Sequence, residues 1–308
     1  MKQTTLAKPT TPLSSTGLHT GHMAQATLLP ASANTGIVLR RTDLFPPVDI
    51  PVLADNVGDT ARNTTLQKNG ASVATVEHIL SALNGMQVDN AIVEVNGPEA
   101  PILDGSAALW TQAISHAGII ELDEERRCLM LPANIYMTGD REGVEYIALP
   151  SNEFRVTAII DFNSHVIGKQ VAEFRRSQND YAVELAPCRT FVFLHEIMPL
   201  LEAGLIKGGD LTNAIIVVDP PLDSDKTERL AQLVGRHAAD LKVEKGILNT
   251  SPHRFNNELA RHKLLDFLGD ILLAGHPINA HFIIRCPGHK NNATFAALLR
   301  KTLQLKQK

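Results

Sequence analysis

The stretch 72–118, SVATVEHILSALNGMQVDNAIVEVNGPEAPILDGSAALWTQAISHAG, decides the fold. Ser72 suits an N-cap, and Val73, Val76, Leu80 and Leu83 recur at helical spacing until Gly85 closes the helix. AIVEV (91–95) reads as a strand, and LDGSAALWTQAISHAG (103–118) reads as a second amphipathic helix closing at Gly118. The same order returns near the C-terminus: ELARHKLLDFLGDILLAG (258–275) as helix, NAHFIIRC (279–286) as strand and NATFAALLRKTL (292–303) as helix. This internal repeat predicts an α+β protein of two similar domains, each with two helices on one face of a small, mostly antiparallel sheet. Residues 23–41 give two β runs around Asn34 and Gly36, and residues 128–161 alternate like strands. The charged junction ELDEERR (121–127) places the division at domains 1–125 and 126–308. An apolar insertion of about 191–218 interrupts the second domain, and residues 223–246, charged and helical in pattern, read as solvated surface.

A length of 308 residues suits two cores, and 44% hydrophobic against 20% charged residues excludes a disordered chain. The formal charge of −4 provides no basic field for nucleic acid. Cys128, Cys188 and Cys286 lie far apart without a CxxC, so neither a disulfide framework nor a thiolate metal site is expected. The first residues lack the apolar run of a secretory signal, and LLDFLGDILLAG is interrupted by Asp266 and Asp270, so no transmembrane segment and a cytoplasmic location are expected.

Chemistry-bearing residues gather on the repeated helices. His262 and Asp266, four apart, share one helical stripe that Asp270 continues, with Lys263 beside it. The pair is a two-ligand metal platform, or a surface pair held by a hydrogen bond. Glu77 and His78 are adjacent, so they point about 100° apart, which lets His78 ligate a metal while Glu77 reaches a water. A lone structural histidine is the competing reading of His78. The repeat puts His78 and His262 on corresponding helices, where a metal between the helix layers could meet both. His289, after a Pro-Gly turn, is either a general acid or a loop histidine. His237 and Asp240 read as surface, and spacing alone does not choose among the remaining eight of twelve histidines.

Seven motifs in order, TGLHTG (16–21), ANTGIVLRRTDL (33–44), TVEHILSAL (75–83), DNAIVEVNGPEAPILDGSA (89–107), RTF (189–191), RHKLLDFLGD (261–270) and GHKNN (288–292), resemble the UDP-3-O-acyl-N-acetylglucosamine deacetylases, zinc amidases of lipid A synthesis. The resemblance implies facing helix layers with one catalytic Zn²⁺ held by His78, His262 and Asp266. It makes Glu77 the general base and His289 the acid, oriented by Asp270, while Lys263 and Thr190 stabilise the substrate oxygen. Phe162 resembles the aromatic stacking on uracil, Phe191 the residue near the sugar, and Arg141 stands where some relatives have a lysine facing the diphosphate. The insertion resembles a passage for the acyl chain, with Leu200, Ile206 and Gly209 on it. RFNNE (254–258), the length of 223–254 and FNSHV (162–166) depart from the family pattern. The expected partner is a lipid-bearing UDP-sugar and the expected state a monomer without a second, fused activity. Two rivals remain: a zinc hydrolase of another amide or ester, such as a peptidase, and a zinc-stabilised binding protein without catalysis.

Overall fold

A computed structural model describes residues 1–204, 206–219, 222–233, 235–248 and 253–304. Helix α1 spans Glu77–Gly85 and α2 Ala108–Ala117; α3 is Tyr181–Glu184, α4 Leu194–Glu202, α5 Ser224–Leu233, α6 Glu258–Asp270 and α7 His289–Gln304.

The first sheet runs in the order Leu13–Thr16, Met23–Pro30, Ala91–Val95, Ile37–Arg41, Val48–Pro51. All its pairings are antiparallel except Ala91–Val95 with Ile37–Arg41. The second sheet runs Ile135–Thr138, Glu145–Pro150, Ile278–Arg285, Arg155–Asp161, Lys169–Arg175, and its only parallel pairing on that path is Ile278–Arg285 with Arg155–Asp161. Both sheets therefore share one strand order, in which the strand between the two helices of each unit is central. Its alternation shows why: Ile278, Ala280, Phe282 and Ile284 are buried while their neighbours are half-exposed. The repeat expected from sequence is thus a repeat of topology. Strand Ile119–Glu125 pairs with Lys2–Leu6, and we propose that the first unit ends there, at residue 125.

The helix layers face each other, and α1 crosses α6 at close range. A Cβ built on Gly269 would stand 2.2 Å from the Glu77 carbonyl oxygen, so only glycine fits the crossing. Asn84 Nδ2 donates to the Leu268 carbonyl at 2.7 Å, closing the seam.

Two readings of local structure are corrected. Ser72 does not cap α1: Ala71–Val73 is a strand paired with Leu66–Lys68, Thr75 turns the chain at φ 59°, and the helix begins at Glu77. Residues 223–246 are not merely solvated surface. Leu230 and Ala231 of α5 are buried in a second core with Leu194, Ile197, Ile216 and Val218, and Val243–Glu244 and Ile247–Leu248 form a hairpin on Ile215–Val217. The excursion that begins at Phe191–Phe193 therefore extends to Leu248. Among the described residues no helix is long and apolar enough to cross a membrane.

Candidate active site

The start of α1, the middle of α6 and the start of α7 converge between the layers. Glu77, His78, His262, Asp266, Asp270 and His289 are all buried. Six such groups together in the interior are costly unless they satisfy one another or a ligand.

Ligand atoms of His78, His262 and Asp266 lie within 4.8 Å of one another. Asp266 Oδ1 is 3.2 Å from His262 Nε2 and 3.8 Å from His78 Nε2, yet it is buried without a hydrogen bond. His262 Nδ1 lies 3.0 Å from the Cys188 carbonyl oxygen, which can only accept, so Nδ1 donates there and Nε2 is the ring nitrogen turned toward Asp266. Burial and the neighbouring His262 push His78 down to about 3, which keeps its ring neutral at pH 7. Burial alone would raise Asp266, but His262 and Lys263 hold it well below the usual carboxylate range. A carboxylate oxygen and two imidazole nitrogens aimed at one point is an arrangement a cation completes, so these residues fit a bound metal ion.

Beside this cluster stand a carboxylate and an imidazole. Glu77 Oε2 accepts the Thr64 N–H at 3.0 Å, and Oε1 lies 4.0 Å from His289 Nε2. Burial pushes Glu77 up to about 7, against the pull of His289. Burial works to lower His289, but Glu77 and Asp270 override it and raise the ring to about 9. Asp270 Oδ2 is 3.1 Å from His289 Nδ1 and accepts Asn292 Nδ2 at 2.8 Å; its Oδ1 accepts the Thr64 hydroxyl at 2.6 Å. Tyr146 donates to Asn292 Oδ1 at 2.6 Å and so fixes that amide. Lys263 Nζ donates to Asp266 Oδ2 at 2.9 Å and stands 5.3 Å from the centre of the Phe191 ring. Thr190 has both backbone groups engaged, with the Gly105 carbonyl and the Ile215 N–H, which fixes its position on the wall.

These groups open on a cavity of about 660 Å³. Its polar lining includes His19, Glu77, His78, Thr190, His262, Lys263, Asp266 and His289, and its apolar lining includes Leu18, Phe191, Ile197, Leu201, Ile206, Leu230 and Leu233, with Gly209 beside them. Asp270 stands behind His289 and does not line it, and of the substrate contacts singled out from sequence three do not line it either. Leu200 yields to Ile197 and Leu201, which are one turn apart on α4 and share the face toward the cavity. Phe162 sits behind Phe191, with edge-to-face ring centres 5.6 Å apart. Arg141 is exposed on the 139–144 turn, where Val144 N–H bonds to its carbonyl. His237 and Asp240 are exposed. Sequence reasoning left His19 undecided and missed Thr64, Tyr146 and the role of Asn292. Only Asn292, within GHKNN, had a motif that could have found it.

The fold and site together describe a protein whose two repeated α+β units close around a candidate metal centre flanked by a buried carboxylate and imidazole. The family model described as LpxC, UDP-3-O-acyl N-acetylglycosamine deacetylase, matches residues 3–239 and 236–301, and the chain belongs to this family. It is 41% identical over 290 residues to a protein of Chlorobaculum tepidum named bifunctional enzyme LpxC/FabZ, covering 94% of this chain and 62% of that one. A Bacteroides thetaiotaomicron protein of the same name is 41% identical over 305 residues, covering 99% and 66%. A Myxococcus xanthus protein named UDP-3-O-acyl-N-acetylglucosamine deacetylase is 38% identical over 291 residues, covering 94% and 83%. The chain thus spans under two thirds of the two bifunctional relatives. The expectation of a single activity applies to these 308 residues and not to sequence beyond them.

Proposed function

We propose that the protein is a zinc-dependent deacetylase that hydrolyses the N-acetyl group of UDP-3-O-(3-hydroxyacyl)-N-acetylglucosamine, giving the free amine and acetate in lipid A biosynthesis. The observation that carries this reading is the convergence of His78, His262 and Asp266 within 4.8 Å, beside Glu77 and His289, on the lining of a cavity with apolar walls. Two nitrogens and one oxygen from protein are a ligand set of catalytic rather than structural zinc sites. Zinc held there supplies Lewis acidity toward water and the amide oxygen.

The chain's own groups do the rest. Glu77, raised to about 7 by burial, takes a proton from the attacking water at its Oε1, while Oε2 stays fixed by the Thr64 N–H. His289, held protonated by Glu77 and Asp270, delivers a proton from Nε2 to the leaving nitrogen, which departs poorly as an anion. Thr190 and Lys263 hydrogen-bond the carbonyl oxygen as it gains charge; for Lys263 this means giving up its contact with Asp266. Phe191, Ile206 and Gly209 receive the sugar and the acyl chain, with Ile197 and Leu201 in the place first given to Leu200. Phe162 acts through Phe191, and Arg141 is retained as the diphosphate contact at the exposed turn. We further propose a monomer in the cytoplasm.

The test is acetate release from the UDP-sugar by purified protein, before and after chelation and zinc return, beside Glu77→Ala. Loss on chelation, rescue by stoichiometric zinc and a fall of about 10²–10⁴-fold in the variant are expected. A zinc-loaded wild type releasing no acetate at any acyl length would overturn the assignment and favour another zinc hydrolase or a structural site.

A further inference from the structure

Leu18 and His19 line the cavity from the 17–22 turn, which joins strands Leu13–Thr16 and Met23–Pro30. What holds this turn from outside is Glu99, a carboxylate only 1% exposed. Its Oε1 accepts the His19 N–H at 2.8 Å and the Thr75 hydroxyl at 3.0 Å; its Oε2 accepts the Thr20 N–H at 2.9 Å and the Thr20 hydroxyl at 2.8 Å. An ionised carboxyl only accepts, so it matches all four donors at once, which no neutral side chain of its size does. Glu99 thereby ties the turn to Thr75, two residues ahead of Glu77.

The other side of the turn carries the insertion. Gly208 N–H bonds to the Leu18 carbonyl at 3.1 Å. A Cβ on Gly208 would stand 2.0 Å from the Gly17 carbonyl oxygen, and one on Gly17 would stand 2.4 Å from Glu99 Oε2. The Gly17 backbone is therefore clasped between Glu99 and Gly208 with no room for a side chain on either glycine. Ile206 and Gly209, flanking this contact, line the cavity.

We propose that Glu99 is a positioning residue for acyl-chain recognition: through residues 17–20 it seats the 206–209 turn and so sets the apolar wall. This rests on the deacetylase reading above. Glu99 touches none of the three metal-site residues, so its effect falls on substrate fit rather than on the metal. Replacing it by glutamine puts an NH₂ group against donors and leaves buried donors unmet.

The experiment compares wild type, Glu99→Gln and Thr20→Val on two UDP-sugar substrates, one with a long and one with a short 3-O-acyl chain. Zinc content, Tm and hydrogen exchange are measured on the same proteins. Glu99→Gln is expected to raise KM for the long-chain substrate about tenfold and to change the short-chain kcat/KM by less than about threefold. Zinc content should stay that of wild type, and residues 17–22 and 206–209 should exchange faster while α1 and α6 do not. Thr20→Val, which removes one of the four donors, should give a smaller loss in the same direction even if the glutamine variant does not fold. Equal losses on both substrates together with a fallen Tm would reduce Glu99 to a structural part and overturn the proposal, as would unchanged exchange of the two turns. Wild type inert on both substrates would instead sink the deacetylase reading, and the exchange data would still decide whether Glu99 seats the turn.

Discussion

Thr64 joins the proposed base to the proposed acid through two different atoms. Its N–H holds Glu77 Oε2 and its hydroxyl holds Asp270 Oδ1, the carboxylate that orients His289. Thr64→Val keeps the first bond and removes the second. A fall in kcat of about tenfold is expected, with KM and bound zinc unchanged; a wild-type kcat would show that Asp270 needs no second anchor. A buried pair nearby makes a stability prediction. Glu258 is fully buried against Arg189, with Nε to Oε1 at 3.0 Å, and although burial pushes its carboxyl up, the Arg189 and Arg254 donors bring it below its ordinary value. A depressed folded-state pKa stabilises above the unfolded value of about 4.3 and is lost as pH falls through the lower folded value. Glu258→Gln should therefore cost roughly 3 kcal/mol at pH 7 by urea unfolding, and the gap to wild type should narrow below about pH 4. A gap independent of pH would refute the ion-pair account. At this scale the sequence was readable where spacing is local. His262 and Asp266 share a stripe because they are four apart on a helix, and Glu77 and His78 are adjacent. Thr64 contacts Asp270 across 206 residues of chain, a relation that helical periodicity does not encode.

Among the elements, the crossing of α1 and α6 is the most exacting. Gly269→Ala would force a methyl group to within 2.2 Å of the Glu77 carbonyl, against backbone that cannot swing aside. A loss of roughly 1–3 kcal/mol is expected from denaturant curves, with a drop in kcat because the displaced residue is the proposed base. Wild-type stability and turnover in that variant would mean that the helices part freely. Helix α5 makes the opposite point about legibility. Its charged residues outnumber its buried ones, and only Leu230 and Ala231 enter the second core. A short stripe of that kind is faint in a charged stretch, because what fixes it is tertiary: the apolar faces of α4 and of the strand Ile215–Val217. Leu230→Ala should cost roughly 2–5 kcal/mol locally. Faster hydrogen exchange in α4 and α5 with none in α1 or α6 is the expected pattern, and uniform exchange would contradict a separate core.

For the whole molecule, the repeat was legible as helix, strand, helix, because each unit must bury one face of its sheet under its own two helices. The strand order was not, since short alternating runs fix which residues face inward but not which strand lies beside which. A metal ion spanning α1 and α6 should also stabilise the fold. Zinc at about a thousandfold over its Kd adds roughly 4 kcal/mol, read as a Tm that rises on zinc addition in wild type and not in Asp266→Ala; equal shifts in both would place the ion elsewhere. The shared strand order has a last implication, one of symmetry. Two identical subunits related by a two-fold axis must present the same groups to each other, so a pair of separate copies could not offer a base from one side and an acid from the other without offering both twice. Two like units joined in one chain are free of that obligation. Here the freedom is used: one unit contributes Glu77 and His78, the other His262, Asp266, Asp270 and His289, and the proposed chemistry has a direction because its scaffold no longer has to be even-handed.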